Sequence, residues 1–451
     1  MQRSIQQIRF EEESHWALKP LKAGMRIPVL RGFLYFKIRD RRSLMPINTG
    51  DNAWLLISTA LVMLMTPGLA FFYGGMVRRK NALSTIMMSF MTLGLIGVLW
   101  VLYGYSLSFG NDIGGVIGGL NFLGLKNVGQ EPSTIYATTV PHLSFMAFQG
   151  MFAIITVALI TGAVVERMKF SAILIFAVVW FTIVYCPIAH WVWGSGGWLA
   201  KLGALDFAGG TVVHINAGVS ALALAMLLGP RRGYQNGTNM TAHNVPFVVI
   251  GAGLLWFGWF GFNAGSALTS GGLASNAFVA TNTAAATAAL TWMFLSWFYH
   301  RPTVSGIATG AVAGLVAITP AAGFVNPIMG IPIGIGVSVI CFYTMRLRNR
   351  TRIDESLDVW ACHGMGGTWG ALATGIFATA SVNSAGADGL IVGNLLLIGK
   401  QLLAIIVVWV FSFGMTWIIG KLIDVTMGLR VSETEEVVGL DISQHGERAY
   451  E

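Results

Sequence analysis

Asp206-Phe-Ala-Gly-Gly-Thr-Val-Val-His214-Ile-Asn216-Ala-Gly218 runs on without a charge to Pro230-Arg231-Arg232, and so sets one acid and one histidine in a segment otherwise fit for lipid. An ionisable side chain there costs roughly 2.5–3.5 kcal/mol at the bilayer centre, which makes it a functional candidate by default. A second apolar segment, Asp358-Val-Trp-Ala-Cys-His363-Gly-Met-Gly-Gly, repeats the device. Two histidines in such segments suggest a path. Asp206 and His214 lie close to two helical turns apart, on one face at about 12 Å, so they do not touch. At the helix head, Asp206 is expected to cap free backbone N–H groups and to favour the positive end of the dipole. Asp358 takes the same reading, with Asp354 and Glu355 beside it in a charged loop.

Composition agrees with a membrane setting. Of 451 residues 55% are hydrophobic and only 11% charged, with a mean hydropathy of +0.67. No water-soluble core hides that much apolar surface. The 56 glycines fit close helix contacts inside a bilayer. Cys186, Cys341 and Cys362 fall in apolar segments, with no disulfide or metal-ligand spacing. The net charge of +8 is concentrated at the N-terminal end: residues 1–46 carry ten Lys/Arg against four Asp/Glu, and the remainder 18 against 16. A nucleic-acid partner is therefore not expected.

Eleven windows are long enough to span about 30 Å of hydrocarbon. They lie near residues 53–77, 83–106, 142–165, 170–193, 207–228, 245–268, 276–299, 304–320, 329–345, 358–380 and 399–427. Connections after the odd-numbered windows hold twelve cations: Arg78, Arg79, Lys80, Arg167, Lys169, Arg231, Arg232, Arg301, Arg346, Arg348, Arg350 and Arg352. Those after even-numbered windows hold Lys126 and Lys201, with Lys400 at the edge of the last. Positive charge marks the cytoplasmic side, so the bundle starts outside and the tail after Met427 lies inside, in a cell membrane. The basic stretch 1–46 conflicts with that orientation, and translation is expected to begin at Met45; the alternative is an added cytoplasmic or peripheral segment. The chain then divides into residues 1–46, a membrane domain 47–427 and a cytoplasmic tail 428–451.

Weak internal matches, such as Asn81-Ala-Leu with Asn276-Ala-Phe, and an acid-plus-histidine in the fifth and tenth windows, point to five spans repeated upside down with an eleventh outside the repeat. His214 and His363 would then face each other and share one proton, each neutral ring offering one donor and one acceptor. Aromatics gather toward the outer side: His190-Trp-Val-Trp193, Phe148-Gln149-Gly-Met-Phe152, and Trp256-Phe-Gly-Trp-Phe-Gly-Phe262-Asn263-Ala-Gly-Ser266. Such residues serve as belt anchors and packing, or offer ring faces to a cation. Their spacing leaves both readings open.

The run from Asp206 to Arg232 resembles the signature of the ammonium transporter family, in the Amt branch of the Amt/Mep/Rh proteins, and the other quoted segments match it in order. The resemblance implies an all-α polytopic membrane protein of eleven transmembrane helices, an inverted five-plus-five repeat plus one, assembled as a homotrimer with a pore in each subunit. It implies an outer ammonium site at Trp193, Phe152 and Ser266, a stacked gate of Phe152 and Phe262, and paired pore histidines His214 and His363. Asp206 would support that entrance structurally and electrostatically. No catalytic residue, cofactor or metal is implied. The acidic tail, Val431 to His445, reads as solvated by composition; the resemblance implies a tail docked on the inner face that helps contact a trimeric PII-type nitrogen regulatory protein.

The physics of such a pore is coherent. A bare ion pays an idealised Born cost of order 20 kcal/mol to enter a low-dielectric lumen, whereas neutral ammonia pays little. Cation recruitment, deprotonation and passage of NH3 follow; the proton either returns outside or crosses by a hydrated histidine route. Two other classes compete. A membrane redox protein would use the histidines as haem ligands and display a Soret band. An ammonium sensor would bind without net transport, and uptake assays separate it.

Overall fold

The computed structural model describes residues 46–234 and 240–450. The basic stretch, and with it the expected start at Met45, lies outside the described residues apart from Pro46. Apolar segments too long to pack against water become helices, since each satisfies its own backbone polar groups in lipid. In chain order they are α1 Thr49–Met76; α2 Ala82–Leu99, widened at Trp100–Gly104 and continued over Tyr105–Phe109; and α3 His142–Thr161. Next come α4, Phe170–Trp180 carried through a wide turn Phe181–Tyr185 into Cys186–Trp193, and α5, a π-turn Gly210–Ile215 leading into Asn216–Leu228. The second half holds α6 Val245–Gly265, α7 Gly272–Tyr299, α8 Val304–Ile318, α9 Gly330–Arg348, α10 (a π-turn Trp360–Met365 with Gly366–Phe377) and α11 Leu395–Met427. Nine helices among the described residues are long and apolar enough to cross a membrane. The eighth window forms the 15-residue Val304–Ile318. The tenth starts two residues later than its acid, at Trp360. The protein is thus a multi-pass, all-α membrane protein.

Its two halves meet along glycine. α1 and α6 pack so closely that a Cβ at Gly258 would lie 2.6 Å from the Leu61 carbonyl oxygen, at Gly261 2.7 Å from Leu61 Cβ, and at Gly265 2.6 Å from Ser58 Cβ. Without a hydrophobic drive between helices in lipid, such contact is what holds them. α5 and α10 touch the same way: a Cβ at Gly218 would come within 2.5 Å of Gly364 Cα. First with sixth and fifth with tenth are the pairs a five-span repeat relates. The two asparagines behave alike as well. Asn81 donates to Glu166 Oε1 in the connection after α3, and Asn276 donates to the carbonyls of Ala322 and Val325 after α8. α11 is pinned beside α5 by buried hydroxyls, with Ser412 donating to Asn216 Oδ1 at 2.8 Å and Thr416 to Ser220 at 2.8 Å.

The tail is ordered, contrary to its polar composition. Two short helices, α12 Glu433–Val438 with a Ser432/Glu435 capping box and α13 Leu440–His445, lie on the connections of the first half. Lys80 Nζ donates to the carbonyls of Glu436 and Val437, Leu440 N–H to Asn81 Oδ1, and Ser84 N–H to Asp441 Oδ1. Glu436 bridges Arg430 and the Arg232 N–H. At the very end Tyr450 meets His243 Nε2 at 2.9 Å. Specific partners for these buried groups explain the order, because each would otherwise lose water without replacement.

Candidate functional site

Asp206 organises one mouth of the bundle. Its carboxylate accepts the backbone N–H groups of Gly209 (2.7 Å), Gly210 (2.6 Å), Thr211 (2.7 Å) and Val212 (3.2 Å), and the Thr211 hydroxyl. These are donors a helix start leaves unpaired. The Asp206 carbonyl in turn accepts the Trp193 indole N–H at 3.0 Å. Trp193 therefore presents its ring, not its N–H, to the adjoining cavity of about 290 Å³, which Phe152, Ser266, Gln149 and Tyr136 also line. Ser266 spends its proton on the Phe262 carbonyl at 2.8 Å, so the hydroxyl faces the cavity as an acceptor. Gln149 Oε1 is buried with no protein partner.

Two phenyl rings close the floor. Phe152 and Phe262 stand 4.2 Å apart between ring centroids at 32°, and Trp193 meets Phe152 edge-on at 5.9 Å. Both phenylalanines are buried. Beneath them lies a void of only about 10 Å³, lined by His214, His363, Trp259, Phe262, Leu159 and Val312 among others. That is about one water in volume, in walls offering it few partners. The imidazoles sit there with Nδ1 to Nδ1 at 3.2 Å and ring centroids 5.3 Å apart. At that separation one Nδ1 must donate and the other accept, so the pair holds a single proton between the rings. One Nε2 is then a donor and the other an acceptor. His214 Nε2 has no protein partner. Gly367 backs His214, where a Cβ would lie 3.1 Å from His214 Cβ; bare backbone behind the ring fixes its place.

On the other side, His363 also forms the floor of a funnel of about 580 Å³ that opens toward the tail-bearing face. The expected residues thus fall in one file: Trp193, Ser266 and Phe152, then Phe262, then His214 and His363. Trp259 joins them unanticipated. Its ring lies nearly parallel to His214 at 5.3 Å, and its N–H is held by Thr319 at 2.8 Å. The three-residue step from Trp259 to Phe262, which flanks the glycine face of α6, is the signal that could have singled it out.

Asp358 does not cap α10. It adopts a left-handed backbone (φ 58°) and pairs with Arg348 at 2.9 Å. Glu355 is the capping carboxylate, with Oε2 accepting the Trp360 N–H at 3.2 Å. In the charged loop beside it, Asp354 and Glu355 are both buried. Asp354 is held by Arg231 through three bonds of 2.8 Å, and Glu166 by Arg78 and Arg231, each at 2.9 Å. Burial alone would raise the Glu166 carboxyl, but Arg231 and Arg78 outweigh it and hold it below its usual range. Glu355 has no such guanidinium pair, and burial with Asp358 beside it pushes its carboxyl up to about 7. Glu355 precedes His363 by eight residues, as Asp206 precedes His214, so Glu355 is the acid the repeat relates to Asp206.

A sequence model described as Ammonium Transporter Family matches residues 53–450. The chain belongs to the ammonium transporter family. Among its relatives, the ammonium transporter of Bacillus subtilis is 52% identical over 406 residues, covering 89% of this chain and 98% of that protein. The ammonium transporter Amt1 of Archaeoglobus fulgidus is 52% identical over 404 residues, with 90% and 100% covered. Among family structures, Candida albicans Mep2 superposes with a TM-score of 0.83 at 38% identity, over 92% of this chain and 93% of Mep2. A structure titled Sensor Amt Protein gives 0.81 at 29% identity, over 88% and 98%.

Proposed function

We propose that this chain moves ammonium across a cell membrane by recruiting NH4+ in the aromatic cavity and passing NH3 between the histidines. Trp193 and Phe152 hold the cation by their ring faces. The oxygens of Ser266 and Gln149 accept its N–H groups, which a metal ion does not possess. Asp206 keeps Trp193 in place through its carbonyl and steadies the mouth. The Phe152–Phe262 stack is the gate, and deprotonation occurs at it. Past the gate, a donor Nε2 and an acceptor Nε2 bond a neutral NH3 without offering a fixed charge. The observation that carries this reading is the histidine pair at 3.2 Å in a void of about 10 Å³, with larger cavities on both sides. A hydrated ion does not fit, and a bare one pays a Born cost of order 20 kcal/mol.

In this reading the tail face is cytoplasmic, the bundle starts outside, and the chain works as a homotrimer in the plasma membrane. The loops beneath the docked tail take up a PII-type regulator there. Uptake of an ammonium analogue by a transport-deficient host tests the function: saturable uptake is expected, and none above background would refute it. The likeness to Sensor Amt Protein supports a second reading, a sensor with little net transport; ammonium binding without uptake would establish it. A pull-down with the host's PII protein across ATP, ADP and 2-oxoglutarate tests the partner, and absence of binding in every state would exclude it.

A further inference from the structure

The wall of the funnel below His363 holds two arginines that no acid among the described residues pairs. Behind the funnel, where Asp358 reaches its wall, Glu166 pairs with Arg78 and Arg231, Asp354 with Arg231 and Asp358 with Arg348, while Arg167 donates to the Asp354 carbonyl and Glu355 accepts the Trp360 N–H. These four acids, one of them Glu355 with its carboxyl raised to about 7, do not outnumber the four arginines and leave no negative excess. Arg301 and Arg346 line the same funnel, and neither has an acidic partner among the described residues. Arg346 is not loose: its guanidinium stacks over Tyr299 at 4.1 Å from the ring centroid and lies 5.8 Å from that of Phe342. A stacked guanidinium keeps its charge and its position.

We infer that Arg301 and Arg346 form a cationic collar that expels ammonium from the tail-side funnel and hinders its entry from that side. The inference deepens the transport reading and rests on it for its consequence. Ammonia leaving the lumen at His363 is protonated by hydronium of the funnel's solution (NH3 + H3O+ → NH4+ + H2O), and the cation so formed is then repelled outward. Neutral ammonia still in the lumen feels no such force. The collar leaves the overall equilibrium untouched; it raises the ammonium concentration needed to load the tail side. At about 7 Å across water one unit charge depletes a monovalent cation about threefold, and two deplete it about sevenfold before screening. Salt at 1 M, with a screening length near 3 Å, abolishes most of this.

The test reads the funnel's potential without relying on transport. A Ser305→Cys variant places a thiol on the funnel wall, and its reaction rates with a cationic and an anionic methanethiosulfonate reagent are compared at low salt, with unsubstituted protein as background. The anionic reagent is expected to react several-fold faster, the preference to collapse in Arg301→Gln/Arg346→Gln and in 1 M salt, and to survive in Arg346→Lys. Equal rates for the two reagents, or a preference unaltered by the double substitution, would overturn the collar. Ammonium entry is then measured in everted and right-side-out membrane vesicles. The double substitution should lower the half-saturating concentration several-fold for tail-side entry alone. An equal shift on both sides, alongside an intact thiol preference, would instead refute the transport reading's exit route.

Discussion

Replacing Asp206 with Asn keeps the shape of the mouth and removes one acceptor oxygen. With the amide oxygen in the place of Oδ1, the N–H groups of Gly209 and Gly210 stay bonded. Those of Thr211 and Val212 then face an NH2 group that cannot accept. Each buried N–H left unpaired costs about 1–3 kcal/mol, so the change destabilises this end by about 2–6 kcal/mol. Thr211→Val, which removes only the hydroxyl, should cost about 1 kcal/mol. The damage reaches the cavity because the Trp193 indole hangs on the Asp206 carbonyl. Thermal unfolding in detergent, followed by tryptophan fluorescence, should give a clearly lower midpoint for Asp206→Asn than for Thr211→Val, and ammonium uptake should fall with it. An Asp206→Asn protein with wild-type midpoint and uptake would refute the capping argument.

Phe262→Ala removes one ring of the proposed gate and should change conduction measurably while the protein still purifies intact; conduction equal to wild type would remove the gate role. Gly218→Ala pushes a methyl against Gly364 backbone, and overpacking of that kind costs typically 1–3 kcal/mol. It should lower the unfolding midpoint, and an unchanged midpoint would contradict so close an α5–α10 contact. Stability should pass through a maximum with pH. Glu166 titrates below its unfolded value, so its contribution is full above about pH 4.5 and is lost as pH falls further. Glu355, raised toward 7, binds its proton more tightly when folded, so stability declines as pH rises from about 4.5 to 7. Glu355→Gln should flatten that second limb and leave the acid limb unchanged; midpoints measured from pH 3 to 8 check both.

The apolar windows and the polar residues within them were legible because lipid leaves a chain few options: the fold class, the file from Trp193 to His363 and the place of Asp206 can be read from charge placement and the family resemblance together. Glu355 was missed through a preference for the nearer acid. Asp358 stands closer to the second histidine, but a left-handed backbone and Arg348 take it away from the helix head. The spacing itself held the answer, since both capping acids precede their histidines by the same eight residues. The docked tail was illegible from composition for a different reason. Glu436 and Asp441 read as solvated until their partners, Arg430, Arg232 and the Ser84 N–H, arrive from distant parts of the chain. Composition carries no information about such meetings. The narrowness of the lumen likewise depends on Trp259 and the glycine contacts that bring the halves together.

Selectivity of the histidine pair is the most direct test of how the pore works. Purified protein reconstituted in planar bilayers is compared with its His214→Ala and His363→Ala variants under matched ammonium and potassium gradients at fixed pH. Wild type should respond to ammonium and exclude potassium, and each variant should lose part of that discrimination while remaining folded. Ammonium response and potassium exclusion both unchanged in the two variants would contradict passage of a neutral molecule between the imidazoles.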